Sequence, residues 1–216
     1  MKKTISVLAG VAALCATTAQ AVTVTAYTDR DAYLAALAGE DVQRENFNRA
    51  TLANEGGNDY RAGALSFTFD GSPAQDISFY PRLEDGQLLL NVDEDGDPRP
   101  LTLSVDGSLR AFGARFESAL SGSGLILEFG GQRFDLADFL PSRNGGTGFF
   151  GLIADESVGS LVIASAIDLD AMATREIFGL DNLRFVADAD VIPVPGAAAL
   201  FVPVLAAGWA ARRKRA

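Results

Sequence analysis

No histidine occurs anywhere in the 216-residue chain, and cysteine appears once, as Cys15. The first absence excludes Ser-His-Asp and Cys-His catalysis and zinc sites with imidazole ligands. The second leaves no partner for a disulfide within the chain. Lysine is confined to Lys2, Lys3 and Lys214, so the segment between the ends has none. Removing six terminal basic residues from 18 leaves 12 arginines in residues 22–190, against all 28 acidic residues, a net charge of −16. Phosphate binding needs a basic footprint, so nucleic acid is excluded as the expected partner. Oxygen-ligated cations, calcium or magnesium first, and chemistry resting on carboxylates alone, as in glycosidases, stay open.

The ends are informative in a different way. Lys2 and Lys3 precede an apolar run over residues 5–16, broken only by Ser6, and Ala19-Gln20-Ala21 follows. A basic start, an apolar stretch too short to span a bilayer and a small-x-small triplet describe a secretory signal peptide. Cleavage after Ala21 by signal peptidase makes Val22 the mature N-terminus. Cys15 suits a lipoprotein signal poorly, because bulky Leu14 stands immediately before it.

At the other end, Val191-Ile192-Pro193-Val194-Pro195 interrupts regular structure, since each proline removes an amide donor and fixes φ. Residues 196–211 carry no charge, and Arg212, Arg213, Lys214 and Arg215 follow. Sixteen residues in a helix reach roughly 24 Å, short of the ~30 Å hydrocarbon core by an amount that bilayer thinning and snorkelling absorb. The basic end is expected to stay cytoplasmic and residues before 191 to lie outside. A proline motif, a hydrophobic helix and a basic end together resemble the PEP-CTERM class of exosortase substrates, exported proteins of Gram-negative bacteria. Here the motif reads Val-Pro-Val-Pro-Gly, without the usual glutamate between prolines, a Val-Pro-x-Pro variant of the class. The resemblance implies an exosortase-like sorting enzyme as partner, transient residence in the inner membrane, cutting near Pro195, and a destination at the outer surface or in the extracellular matrix.

Residues 22–190 form one domain of ordinary size. Val22 to Ala26 reads as a strand, and residues 28–39 as a short helix with Tyr33, Leu34 and Leu37 on one face, ending at Gly39. Leu65, Phe67 and Phe69 alternate with polar neighbours, a half-buried strand. Further strands are expected at 43–48, 77–80, 87–92, 101–105, 111–116, 124–129, 132–136, 149–154, 160–165 and 181–187, and a loop at 51–61. Gly130-Gly131 fits a two-residue hairpin. Many short strands, Gly and Asp turns and one helix predict an all-β, antiparallel β-sandwich. The runs 149–155, 160–163 and 178–185, with Glu45-x-Phe47, resemble the jelly-roll ectodomain common among these sorted proteins.

Two acidic groupings are candidate calcium sites. Asp93, Asp95, Asp97 and Gly96 match only the opening of an EF-hand-type loop, since Thr102 stands where a bidentate glutamate belongs; a solvated hairpin turn is the plainer account. The jelly-roll resemblance implies a second, structural site between Glu45 and Asp181, with Asn182 nearby; the alternative is a turn into the last strand. For catalysis, Asp135 with Asp138 and Asp155 with Glu156 are the available carboxylate pairs, and Tyr60 and Tyr80 are candidate sugar-stacking rings. The expectation is a cell-surface or matrix protein whose sandwich is a non-catalytic binding or structural module, calcium-stabilised or bound to extracellular polysaccharide. The rival is a carboxylate-based glycan-cleaving enzyme of jelly-roll type.

Overall fold

The computed structural model describes residues 22–70, 80–94, 97–120, 122, 124–166 and 176–188. The signal segment, the tail and most of the strand expected at 77–80 lie outside them. In chain order the elements are β1 (Val24–Tyr27), α1 (Arg30–Ala36), β2 (Gln43–Glu45), β3 (Leu52–Gly56), β4 (Asp59–Ala62) and β5 (Leu65–Phe69). Then come β6 (Arg82–Glu84), β7 (Gln87–Asn91), β8 (Asp93–Glu94), β9 (Asp97–Pro98), β10 (Leu101–Val105) and β11 (Ser108–Glu117). The last are β12 (Leu125–Phe129), β13 (Gln132–Asp135), β14 (Gly148–Val158), β15 (Leu161–Ser165) and β16 (Ile177–Asp188).

These strands make two seven-stranded antiparallel sheets. Sheet I runs β1-β14-β11-β16-β7-β6, with β2 also on β16; sheet II runs β13-β12-β15-β10-β5-β4-β3. The hairpin β8–β9 stands apart, in the connection from β7 in sheet I to β10 in sheet II. Between the sheets, alternate residues meet in one core: Leu65, Phe67 and Phe69 of β5, Leu101 and Leu103 of β10, Phe112 and Phe116 of β11, Phe150 and Leu152 of β14, Phe178 and Leu180 of β16. Each such side chain contributes roughly 1.5–3 kcal/mol through removal from water. The chain is an all-β sandwich, as the alternation of apolar residues predicts.

Local chemistry explains the connections. Gly130 and Gly131 have φ of +58° and +75°, the pair of left-handed residues that a type I′ hairpin between β12 and β13 requires. Asp29 caps α1 by accepting from the Ala32 amide at 2.7 Å, and the helix stops at Leu37, just before Gly39. One expectation fails: residues 51–61 are not a loop but most of the β3–β4 hairpin at the margin of sheet II. An edge hairpin has only one neighbour and one core-facing side, so Leu52, Tyr60 and Ala62 suffice and the hydrophobic period is faint.

The face of sheet I turned away from the core is also covered, in part. There α1 buries Tyr33 and Leu37 against Ala111 and Val186, with Ile153 and Val42 alongside. The Tyr33 ring lies over Gly113 and Gly151, which are directly paired across β11 and β14. A Cβ on either glycine would stand 2.7–2.9 Å from ring carbons of Tyr33. The ring is held from the sides by Tyr27, edge-on at 5.9 Å, and Phe149 at 5.3 Å. Its hydroxyl donates to the Arg184 carbonyl at 3.3 Å.

Candidate functional site

The expected sites separate in the fold. Along one edge of β16, β7 pairs residues 177–180 and β2 pairs residues 183–185. Asp181 and Asn182 fill the gap as a bulge, with Asn182 at φ +50°. Leu180 and Leu183 therefore both point into the core, and Asp181, opposite Arg115, projects from the outer face. Its carboxylate accepts from the Asn182 amide at 2.5 Å and side chain at 2.6 Å. Glu45 is paired with Leu183 and so lies on the inner side, its Oε2 against Gly63 in the turn between β4 and β5. Glu45 Oε1 accepts from the amides of Asn46 and Phe47 at 2.9 and 2.8 Å, closing a turn in which Phe47 has φ +55°. Strand pairing thus presents the two carboxylates on opposite sides of sheet I, and among the described residues no group of three acidic side chains is placed to hold a metal ion.

The remaining candidates have structural tasks of their own. Asp93 and Glu94 pair with Pro98 and Asp97 as a tight hairpin, with Asp95 and Gly96 outside the described residues. Asp135 caps a short 3-10 turn, accepting from the Ala137 amide at 2.9 Å. Asp155 accepts from the Thr23 amide at 2.8 Å, and this bond holds its carboxyl below the usual range. Tyr60 stacks on Phe67 at 5.6 Å as part of the core margin, and Tyr80 carries the Arg82 guanidinium 5.1 Å above its ring. Ala21, Pro193, Pro195, Arg212, Arg213, Lys214 and Arg215 lie outside the described residues.

What the sequence reading does not single out is the outer face of sheet I beside α1. Cross-strand pairing sets a row there: Tyr27, Gly151, Gly113, Arg184 and Arg44, one from each of five strands. The next row holds Phe149, Arg115 and Asp181. Directly opposed residues present their side chains on the same face about 4.5–5.5 Å apart at Cβ. Arg184 and Arg44 thus stand as a like-charge pair, and burial together with the charges of Arg44 and Arg30 lowers the Arg184 pKa against the opposing charge of Asp181.

Beside this pair a cleft of about 330 Å³ opens, lined by Asp29, Arg30, Asp31, Arg115, Phe149 and Asn182. Two of the arginines around it are already engaged, Arg30 with Asp31 at 3.2 Å and Arg115 with Glu117 at 2.8 Å. The other two are not. Arg44 donates to the Asn182 side-chain oxygen at 2.7 Å, and Arg184 to the carbonyls of Leu183 and Asn182 at 3.1 and 3.4 Å. Among the described residues neither has a carboxylate within ion-pair distance. Four of the 12 arginines in a strongly acidic domain have gathered on one patch. The signal that could have found it was in plain view: Arg44 and Arg184 each sit at an out-facing position of a strand, but only strand pairing makes them neighbours. Comparison with protein-family models, with curated proteins and with solved structures found no match.

Proposed function

We propose that this protein is exported by a Gram-negative bacterium, processed at both ends, and delivered to the outer surface or extracellular matrix, where its β-sandwich serves as a non-catalytic binding or structural module. The observation that carries this is the coexistence on one chain of two address segments. One is the basic-apolar-small run ending at Ala21; the other is Pro193 and Pro195, the uncharged residues 196–211 and the cationic end. Signal peptidase and an exosortase-type enzyme would be the processing partners, with the inner membrane a temporary host. A jelly-roll version of the sandwich is supported by the course of the chain, since β10 and β11, β11 and β12, β14 and β15, and β15 and β16 each lie in opposite sheets. Calcium would stabilise the module through carboxylate oxygens, at Glu45 and Asp181 or at Asp93, Asp95 and Asp97.

Intact-mass analysis of the exported protein tests the proposal. Loss of residues 1–21 together with release near Pro195 is the expected result. A lipidated N-terminus at Cys15 would make the protein a lipoprotein, and an intact tail on exported material would remove the sorting role. Neutral replacement of Arg212, Arg213, Lys214 and Arg215 should weaken retention in the inner membrane and impair sorting, because positive charge fixes the helix's orientation. Unchanged localisation and processing of that variant would count against the tail as an address.

A further inference from the structure

We infer that the outer face of sheet I beside α1 binds a carboxylate-bearing sugar, with Arg44 and Arg184 gripping the carboxylate and the adjoining cleft taking the ring. Like charges placed directly opposite on neighbouring strands repel, and such pairs destabilise a sheet. Arg44 and Arg184 occupy such positions on β2 and β16. Neither has a carboxylate within ion-pair distance among the described residues, Asp181 reaching Arg184 only through its charge at longer range, although the chain has acidic side chains to spare. Hydrogen bonds to Asn182 and to backbone carbonyls fix both guanidinium groups while leaving other N–H donors uncommitted. A bound anion would turn the repulsion into a pair of charge-assisted contacts.

The surroundings select among anions. Asp29, Asp31, Asp181 and Glu117 all belong to this patch, and Arg30 and Arg115 are already matched to Asp31 and Glu117. Four carboxylates beside four guanidiniums leave the patch without net positive charge, which disfavours a dianionic phosphate ester over a monoanion. A carboxylate carries one charge, is planar, and accepts two parallel bonds from the guanidinium fork. The cleft itself is at the small end of ligand pockets, at about 330 Å³. Its apolar wall is the half-buried Phe149 ring, and its polar wall is Asn182, Asp29 and Asp31, whose oxygens accept from hydroxyls. Apolar and hydroxyl-accepting walls beside a carboxylate grip are the chemistry of a uronic acid residue. Free sugar acid and an acidic polysaccharide share that chemistry.

This names a ligand class for the binding module of the preceding section and rests on that reading. The two fail separately, because processing is read by mass and ligand binding is not. The experiment is calorimetric titration of the purified full chain with galacturonate, with a galacturonate oligomer and with a neutral galactose oligomer, at matched ionic strength. Binding of the oligomer but not the neutral sugar is expected, and tighter binding of oligomer than monomer would identify a polymer as the ligand. Arg44→Gln and Arg184→Gln should each weaken binding at least about tenfold, the loss of a charge-assisted hydrogen bond. Arg61→Gln, on β4 of sheet II beside Asp106, should leave it unchanged. Arg44 is exposed, so its variant keeps the test valid even where Arg184→Gln fails to fold. Without sugar, Arg44→Gln should melt no lower than the parent, since a repulsion has been removed. Equal binding of the neutral oligomer, full affinity in both variants, or no binding of either galacturonate form would overturn the assignment.

Discussion

Tyr33 is the residue on which the outer face of sheet I turns. Its ring needs two side-chain-free positions beneath it, which Gly113 and Gly151 supply by pairing across β11 and β14. Gly113→Ala or Gly151→Ala should destabilise the protein by about 1–3 kcal/mol, since neither ring nor sheet can move aside cheaply. Chemical denaturation of the single variants measures this. Combination with Tyr33→Ala should recover part of the loss, and a fully additive double variant would mean that the ring is not what the methyl meets. Burial also pushes the Tyr33 hydroxyl's pKa well above its ordinary value, with the Arg184 charge opposing. A raised native pKa means stability that is complete below the unfolded value, about 10, and declines as pH rises above it. Tyr33→Phe should give up roughly 1 kcal/mol at neutral pH with the bond to the Arg184 carbonyl, and then lose stability less steeply in alkali than the parent. Parallel alkaline curves would show that Tyr33 does not titrate on unfolding.

At the scale of elements, β1 is held on one side only, by its four pairs with β14. Asp155 extends that edge by accepting from the Thr23 amide, and its carboxyl pKa is lowered mainly by this bond. A lowered native pKa gives stability that is present above the ordinary carboxylate range and lost as pH falls through the native value. Hydrogen exchange at the β1 amides should therefore quicken on acidification more than exchange in β11, which is paired on both sides. Asp155→Asn should weaken the acid dependence of β1 exchange, and identical profiles in variant and parent would sink the idea. The β3–β4 hairpin shows the opposite limit of legibility. Its residues are mostly polar, so strand formation there follows from an available edge of β5 and not from a pattern of its own.

Across the whole molecule, the excess of carboxylates over arginines is a field that divalent cations reduce by screening as well as by binding. The oxygen donors expected to meet at Glu45 and Asp181 are turned to opposite sides of sheet I. A melting curve in millimolar calcium, against chelator at matched ionic strength, should thus show any specific shift unchanged in Glu45→Ala and Asp181→Ala. Loss of the shift in Asp93→Ala would assign it to the acidic hairpin. An ion held a hundredfold above its Kd raises stability by about 2.7 kcal/mol, enough to read in such a curve.

The sequence by itself determined the class of fold, the short capped helix and the Gly130-Gly131 hairpin, because each rests on contacts or backbone preferences among residues close in the chain. Apolar residues at every second position can be buried only as a sheet with a covered face, and Asp29 can cap only the helix that follows it. It also determined the chemical classes excluded by missing histidine and disulfides. Which strands lie side by side was decided only by tertiary structure. Pairing of β2 with β16 brings Arg44 to Arg184 from 140 residues away, and the bulge at Asp181 and Asn182 sends Asp181 away from Glu45. No local period encodes either event. Register depends on the summed burial of two whole sheets, and a single extra residue in a strand reverses the side on which every later side chain emerges.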